Sequence, residues 1–466
     1  MNILLKSRRK AAPTWVSLPA ACLGSFAERP NIVFIMADDL GYGDLSCYGQ
    51  KNFQTPNIDA LARKGIRFTQ AYAGGPVCAS SRSVLMTGLH GGHTPARDNV
   101  PHYPTYLKDE DVTLAEVLKG AGYRCGGIGK WSLGDPGTEG DATKQGFDMW
   151  FGYQNQDHAH YYFPEYLDDS DASDGRMEYP GNSRTRAVYS HDAMTERALS
   201  FIEDSAEGPF FLYAAYTVPH FSSRSEDSDR LAVPDLGSYR NKPWSEAAKK
   251  YASMVSRLDR DLGRIVAKVE SLGLSDNTLF IFTSDQGPLS GGPAEELDSN
   301  GPLCGAKRSL YEGGLRVPFI VRWDGRAPSG SESNEVIAFW DMLPTLAEVA
   351  GIVDTPKNDG RSVLDAFLGK AIEGPHEYLY WDYGHNRRRY DQAVRWGDWK
   401  GIRHGVGKDI QLYHLANDLS ESNDVASEHP DIVKRIAEMM DAAATPDPRY
   451  RVGELYEGKP IWQPSW

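Results

Sequence analysis

Asn31-Ile-Val-Phe-Ile-Met36 is a continuous apolar run, rich in β-branched residues, that leads straight into Ala37-Asp38-Asp39. Such a run reads as a strand buried on both faces of a sheet. Gly208-Pro-Phe-Phe-Leu-Tyr-Ala-Ala215, Thr278-Leu-Phe-Ile-Phe-Thr283 and Pro318-Phe-Ile-Val-Arg-Trp323 read the same way. Helical segments separate these runs. Thr55-Pro56 caps a helix with Ile58, Leu61 and Ala62 on one face and Gly65 as its stop. Thr113-Leu-Ala-Glu116 is a capping box. Beyond Ser245, Tyr251, Val255, Leu258, Leu262, Ile265 and Val269 recur at three- and four-residue spacing. That spacing predicts the longest helix, stopped by Gly273. Strands alternating with helices predict an α/β fold, a large mainly parallel sheet sandwiched by helices.

After about residue 375 the pattern changes. Tyr378-Leu-Tyr-Trp381, Gln392-Ala-Val-Arg-Trp396, Trp399-Lys-Gly-Ile402 and Gln411-Leu-Tyr413 are short, aromatic and divided by turn residues. They predict antiparallel hairpins, and Ile432 to Ala443 predicts a closing helix. The expected organisation is a main domain over 29–374 and a smaller C-terminal antiparallel β subdomain with its helix over 375–466.

Composition excludes several classes. The 466 residues are 40% hydrophobic and 24% charged, which is ordinary globular usage. Acidic residues outnumber basic ones, 64 to 50, giving a formal charge of −14. The isoelectric point is near 5.4 and the mean hydropathy −0.50. This balance argues against nucleic acid as a partner, and no apolar run is long enough for a membrane span. Cys22, Cys47, Cys78, Cys125 and Cys304 are far apart and form no CxxC pair. Residues 1–27 read as a signal peptide: Lys6, Arg8, Arg9 and Lys10 precede an uncharged stretch ending in Ser25-Phe26-Ala27. Ser7-Arg8-Arg9 partly matches a twin-arginine signal. The expectation is an exported protein, periplasmic or secreted.

The chemistry-bearing residues fall at strand ends, where open α/β sheets bind ligands. Asp38 and Asp39 follow the first strand, and Asp285-Gln286-Gly287 follow another. Brought together, three carboxylates and an amide oxygen make an all-oxygen site for Ca²⁺ or Mg²⁺. Taken alone, an Asp-Asp pair also serves as a helix cap or a partner for nearby backbone N–H groups. Cys78-Ala79-Ser80-Ser81-Arg82 opens a helix-like segment, which puts Cys78 near a helix N-terminus that favours anions. A lone cysteine is otherwise a small buried hydrophobe. Arg82, four residues on, shares its helical face.

The segment Pro30 to Asp44 resembles the opening of the type I, formylglycine-dependent sulfatases of the alkaline phosphatase superfamily. Cys78 to Arg82 with Leu85-Met-Thr-Gly88 resembles their maturation segment. Gly129-Lys130-Trp131-Ser132-Leu133-Gly134, Val218-Pro219-His220, Thr283-Ser-Asp-Gln-Gly287, and Lys307 with Tyr311 to Pro318 resemble later blocks, in family order. The layout is similar to that of carbohydrate sulfatases such as N-acetylgalactosamine-6-sulfatase-like proteins.

The resemblance implies a sulfatase domain over 29–374 that hydrolyses sulfate esters, most naturally on a sulfated glycan. It implies Cys78 oxidised to formylglycine by a formylglycine-generating or other sulfatase-maturing enzyme. One hydroxyl of the hydrated aldehyde attacks sulfur and the alcohol leaves; the second then loses its proton and sulfate is expelled. Asp38, Asp39, Asp285, Gln286 and the Cys78-derived oxygen would hold Ca²⁺ or Mg²⁺. Arg82, Lys130 and Lys307 would stabilise charge, and His220 would protonate the leaving oxygen. Two positions depart from the family pattern: Ser80 stands where a proline is usual, and Ser132 where a histidine is usual. His158 or His160, just downstream, is expected to enter the sulfate pocket and take part of that histidine's role. The triplet Arg387-Arg388-Arg389 reads either as a basic patch at the pocket mouth or as an exposed turn. A phosphodiesterase or phosphonate hydrolase of the same superfamily, and an impaired metal-dependent binder of sulfated glycans, are the alternative readings.

Overall fold

The computed structural model describes residues 29–99, 106–226 and 229–456. The signal peptide expected at 1–27 lies outside the described residues. Strand β1 (Asn31–Ala37) is buried along its whole length and pairs in parallel with β7 (Phe210–Ala215) and β8 (Thr278–Ser284). Toward one edge follow β3 (Arg124–Lys130), parallel to β7, and β4 (Met149–Tyr153), parallel to β3. The hairpin strands β5 (Tyr166–Asp169) and β6 (Arg176–Glu178) finish that edge in antiparallel fashion. Toward the other edge, β9 (Arg316–Trp323) runs antiparallel to both β8 and β2 (Ile66–Tyr72). The short β10 (Ser331–Ser333) and β11 (Ile337–Ala338) pair with β2. The result is an 11-stranded mixed sheet, parallel through its centre.

Two apolar layers cover it because β1 buries both of its faces. Ile32, Phe34 and Met36 join one layer, with Trp131, Trp150 and Trp340. Val33 and Ile35 join the other, where the helix Glu246–Ser271 supplies Val255, Leu258, Leu262 and Ile265. That helix begins at Ser245, whose side chain caps the Ala248 N–H. The Thr113 capping box is formed in both directions.

The C-terminal strands β12 (Leu379–Tyr383), β13 (Asp391–Trp396), β14 (Trp399–His404) and β15 (Ile410–His414) form a separate antiparallel sheet. The helix Pro430–Ala443 packs Ile436, Met439 and Met440 onto Tyr380, Val394 and Leu412 of that sheet. No helix among the described residues is long and apolar enough to cross a membrane.

Candidate active site

Parallel pairing puts the carboxyl ends of β1 and β8 side by side. Asp38 follows β1, and Asp285 and Gln286 follow β8. The chain turns sharply here: Asp39 has a left-handed φ of 63°, uncommon for a residue with a Cβ. Two cross-links hold the turn. The Asp39 N–H donates to Asp285 Oδ1 at 3.1 Å and the Leu40 N–H to Ser284 Oγ at 3.0 Å. Both aspartates are thereby aimed at one point.

Cys78 is the first residue of the helix Cys78–Thr87, and the Asn99 side chain accepts from the neighbouring Ala79 N–H at 2.7 Å. Ser80 is the third helical residue, and its hydroxyl donates to the Val77 carbonyl at 3.1 Å. A proline is also compatible with that first turn, so the departure at Ser80 leaves the helix start intact. The Cys78 thiol lies 3.3 Å from Asp38 Oδ1. Gln286 Nε2 at 3.5 Å and Lys307 Nζ at 3.4 Å donate toward its sulfur.

The charged groups interlock around that sulfur. Lys130 Nζ donates to Asp38 Oδ2 at 2.7 Å, and Lys307 Nζ to the two oxygens of Asp39 at 2.6 and 2.8 Å. Arg82 Nη2 and Nε donate to Asp285 Oδ2 at 2.8 and 3.1 Å. His220 Nε2 stands 3.6 Å from Asp39 Oδ2. Burial by itself raises the pKa of Asp38, but Lys130, His220, Arg82 and Lys307 outweigh it and hold the carboxyl well below its usual range. Burial pushes the Cys78 thiol up to about 11, with the negative charge of Asp38 adding to the effect. An unmodified Cys78 is therefore a protonated thiol near neutral pH, a poor nucleophile.

The oxygen donors of Asp38, Asp39 and Gln286 fit a hard divalent cation. Asp38, Asp39, Cys78 and His220 each offer a ligand atom, all within 4.8 Å of one another. Gln286 Oε1 is buried with no hydrogen-bond partner, while its Nε2 donates to Asp39 Oδ1. An orphaned amide oxygen beside carboxylates is a ready cation ligand. Three buried carboxylates are already balanced by Arg82, Lys130 and Lys307. A divalent cation would leave two positive charges, which an anionic ester and a deprotonated nucleophile would cancel.

Above this cluster opens a cavity of about 380 Å³, lined by Asp39, His160, His220, Arg224, Lys307 and Arg308 among others. The two histidines expected near the pocket part company. The His160 ring lies 4.7 Å from His220, and its Nδ1 accepts from the Ser223 N–H at 3.1 Å. That acceptor leaves the ring proton on Nε2, so neutral His160 presents a donor rather than a base. His158 does not line the cavity. It packs between Tyr153 and Tyr166, with ring centroids 4.8 and 4.4 Å away, and burial lowers its pKa to about 3. Ser132 adopts a left-handed φ of 68°, and its Oγ is buried with no hydrogen-bond partner. Of the arginine triplet, Arg387 reaches the cavity but is held by Asp98 at 2.7 and 2.8 Å. Arg224, Arg308 and Asn99 also line the cavity and were not anticipated; for Arg308, adjacency to Lys307 was the one available signal.

Carboxylates fit for a cation and a cluster of cationic side chains surround a buried cysteine at parallel strand ends, an arrangement suited to an anionic ligand. The family model described as Sulfatase matches residues 30–352. A second, N-sulphoglucosamine sulphohydrolase, C-terminal, matches residues 305–445. The chain is 29% identical to the N-acetylgalactosamine-6-sulfatase of Canis lupus familiaris, covering 91% of this chain and 89% of the relative. It is 30% identical to the N-acetylgalactosamine-6-O-sulfatase of Bacteroides thetaiotaomicron, covering 91% and 94%. The crystal structure of Ps i-CgsB in complex with k-i-k-neocarrahexaose superposes with a TM-score of 0.78 at 27% identity, over 92% of this chain and 95% of the other. The chain belongs to the sulfatase family and is a sulfuric ester hydrolase.

Proposed function

We propose that this enzyme removes sulfate from a sulfated carbohydrate, using formylglycine made from Cys78 and a divalent cation, Ca²⁺ or Mg²⁺. The relatives named N-acetylgalactosamine-6-sulfatase and N-acetylgalactosamine-6-O-sulfatase, and the neighbour solved with k-i-k-neocarrahexaose, support the substrate class. The observation that carries the mechanism is the Cys78 sulfur, within 3.5 Å of Asp38, Gln286 and Lys307, beside a cationic cavity. Asp38, Asp39, Asp285 and Gln286 would hold the cation, which supplies a Lewis acid beside the nucleophilic hydroxyl of the converted residue.

The remaining roles fall to the chain's own side chains. Lys307 and Lys130 hold their ammonium groups at the cluster and offset charge that develops on sulfate oxygens. Arg82 fixes Asp285 and ties it to the Lys130 carbonyl, which Arg82 Nη1 reaches at 2.5 Å. His220 lines the cavity next to Lys307, where it can hold a proton for the departing alcohol oxygen. His160 offers its Nε2 proton to a sulfate oxygen. Export through residues 1–27, and maturation by a formylglycine-generating or related enzyme that accepts Ser80, belong to the same proposal, as does the division into a 29–374 sulfatase domain and a 375–466 subdomain.

Peptide mass spectrometry across Cys78 from the native host, with parallel assays on sulfate and phosphate esters, tests this reading. The expected result is an aldehyde at position 78 and preferential release of sulfate. A thiol at 78 with glycan binding but no sulfate release would make the protein a binder; a preference for phosphorus esters would make it a phosphohydrolase.

A further inference from the structure

The 380 Å³ cavity over Cys78 adjoins a second one of about 630 Å³, and the two share Leu289, Lys307 and Arg308. Arg308 therefore forms part of the ridge between them. Its backbone is held there firmly. The Arg308 N–H donates to the Pro76 carbonyl at 2.9 Å, two residues before Cys78, and the Lys307 N–H to the Pro288 carbonyl at 2.8 Å. Its φ of 72° is left-handed, which is uncommon for a side-chain-bearing residue.

The other cations of the first cavity are committed. Lys307 is bound to Asp39, Arg224 to Asp157 at 2.9 and 3.0 Å, and Arg387 to Asp98. Arg308 is exposed and makes no ion pair with any carboxylate among the described residues. An uncompensated guanidinium at a cavity mouth attracts an anion and matches a carboxylate or sulfate with two parallel hydrogen bonds. The second cavity carries Glu295 and Asp298. These repel an anion but accept hydrogen bonds from sugar hydroxyls, so the anion is favoured at the ridge and not beyond it.

We propose that Arg308 is a second anion subsite, binding a carboxylate or sulfate on the sugar next to the one whose sulfate ester lies over Cys78. The substrate is then an oligosaccharide with at least two anionic groups. This rests on the sulfatase reading above and specifies its substrate.

The test is calorimetric binding of three size-matched disaccharides. Each carries one 6-O-sulfate; the neighbouring sugar is neutral, bears a uronate, or bears a second sulfate. The wild-type enzyme should bind at least one dianionic probe roughly tenfold tighter than the neutral-partner probe. Which probe gains identifies the anion. Arg308→Gly, which accepts the left-handed φ, should reduce that gain to less than about twofold, and Arg308→Lys should leave an intermediate gain. Equal affinities in the wild type, absence of binding, or an undiminished gain in Arg308→Gly would overturn the proposal. Sulfate release from the same probes is recorded separately. Its absence counts against the sulfatase reading, while the affinity ratios still judge Arg308.

Discussion

Two clusters of buried charge lie at the two ends of one loop segment, and they do opposite jobs. The first surrounds Cys78. The second joins the two sheets: Lys400 of β14 reaches Glu312, just before β9, at 2.8 Å and Glu421 at 3.0 Å. Arg316 reaches Glu312 at 3.3 Å, and Tyr72 of β2 donates to Glu312 at 2.7 Å. Lys400, Glu312 and Glu421 have side chains of 0% exposure. In the first cluster, Asp39, His220 and Lys307 face a cavity and Gln286 Oε1 has no partner. Buried charge that faces a cavity with bonding capacity left over is equipped for chemistry. Buried charge sealed between two sheets is a clamp.

Cys78→Ala should break the comparison most sharply. Sulfate release should fall by roughly 10⁴-fold or more, since no other nucleophile occupies that position. The melting temperature should change little. Preserved turnover would remove Cys78 from the chemistry.

Lys400→Met should do the reverse. It removes the cation shared by buried Glu312 and Glu421, leaving Arg316 as the ion-pair partner of Glu312, and should cost about 3–5 kcal/mol of stability. Urea unfolding measures this, and kcat of the folded fraction should stay close to wild type. A stable but inactive Lys400→Met would erase the distinction between clamp and site.

A third pair of variants sharpens the site boundary. His160→Ala should raise KM about tenfold by removing a donor to the substrate anion. His158→Ala should leave KM unchanged and lower stability by about 1–3 kcal/mol through lost packing. Steady-state kinetics and thermal unfolding separate the two.

The smallest effect concerns acid stability. Burial alone would raise the pKa of Glu312, but Lys400, Arg316 and Arg395 overcome it and lower the pKa to about 2 from an ordinary 4.5. A carboxylate depressed in the folded state stabilises fully above its unfolded pKa and loses that contribution as pH falls through the folded value. Stability should therefore decline between about pH 4.5 and 2. Glu312→Gln should flatten that decline, measured as the urea midpoint against pH.

Much of the sheet was legible because β1, β7 and β8 are unbroken apolar runs. Strand β3, Arg-Cys-Gly-Gly-Ile-Gly-Lys, lacks that signature. A Cβ on Gly126 would meet the Phe201 ring at 2.4 Å, and one on Gly127 would meet Trp150 at 2.4 Å. Close packing of aromatic rings on the backbone replaced the apolar side chains by which a strand is recognised. Strand β9 was legible as a strand but not in direction, because an apolar run reads the same both ways, and it proved antiparallel to both neighbours. The block Tyr311 to Pro318 looked like part of the active site, yet Glu312 and Arg316 belong to the clamp.

Local chemistry sufficed for the buried central strands, the Thr113 and Ser245 helix starts, and the placing of Asp38, Asp39 and Asp285 at strand ends and of Cys78 and Arg82 at a helix start; Lys130, His220 and Lys307 were singled out only by the resemblance to sulfatases. Periodicity and side-chain type are properties of short segments and need no partner. Tertiary structure decided which charges are spent and which are free. Arg387 is held by Asp98, 289 positions away, whereas Arg308 is exposed, lines both cavities and has no carboxylate partner among the described residues. His158 and His160, two residues apart on one turn of 3-10 helix, face in different directions because that turn rotates about 120° per residue. Only folding determines which direction holds aromatic rings and which holds the cavity.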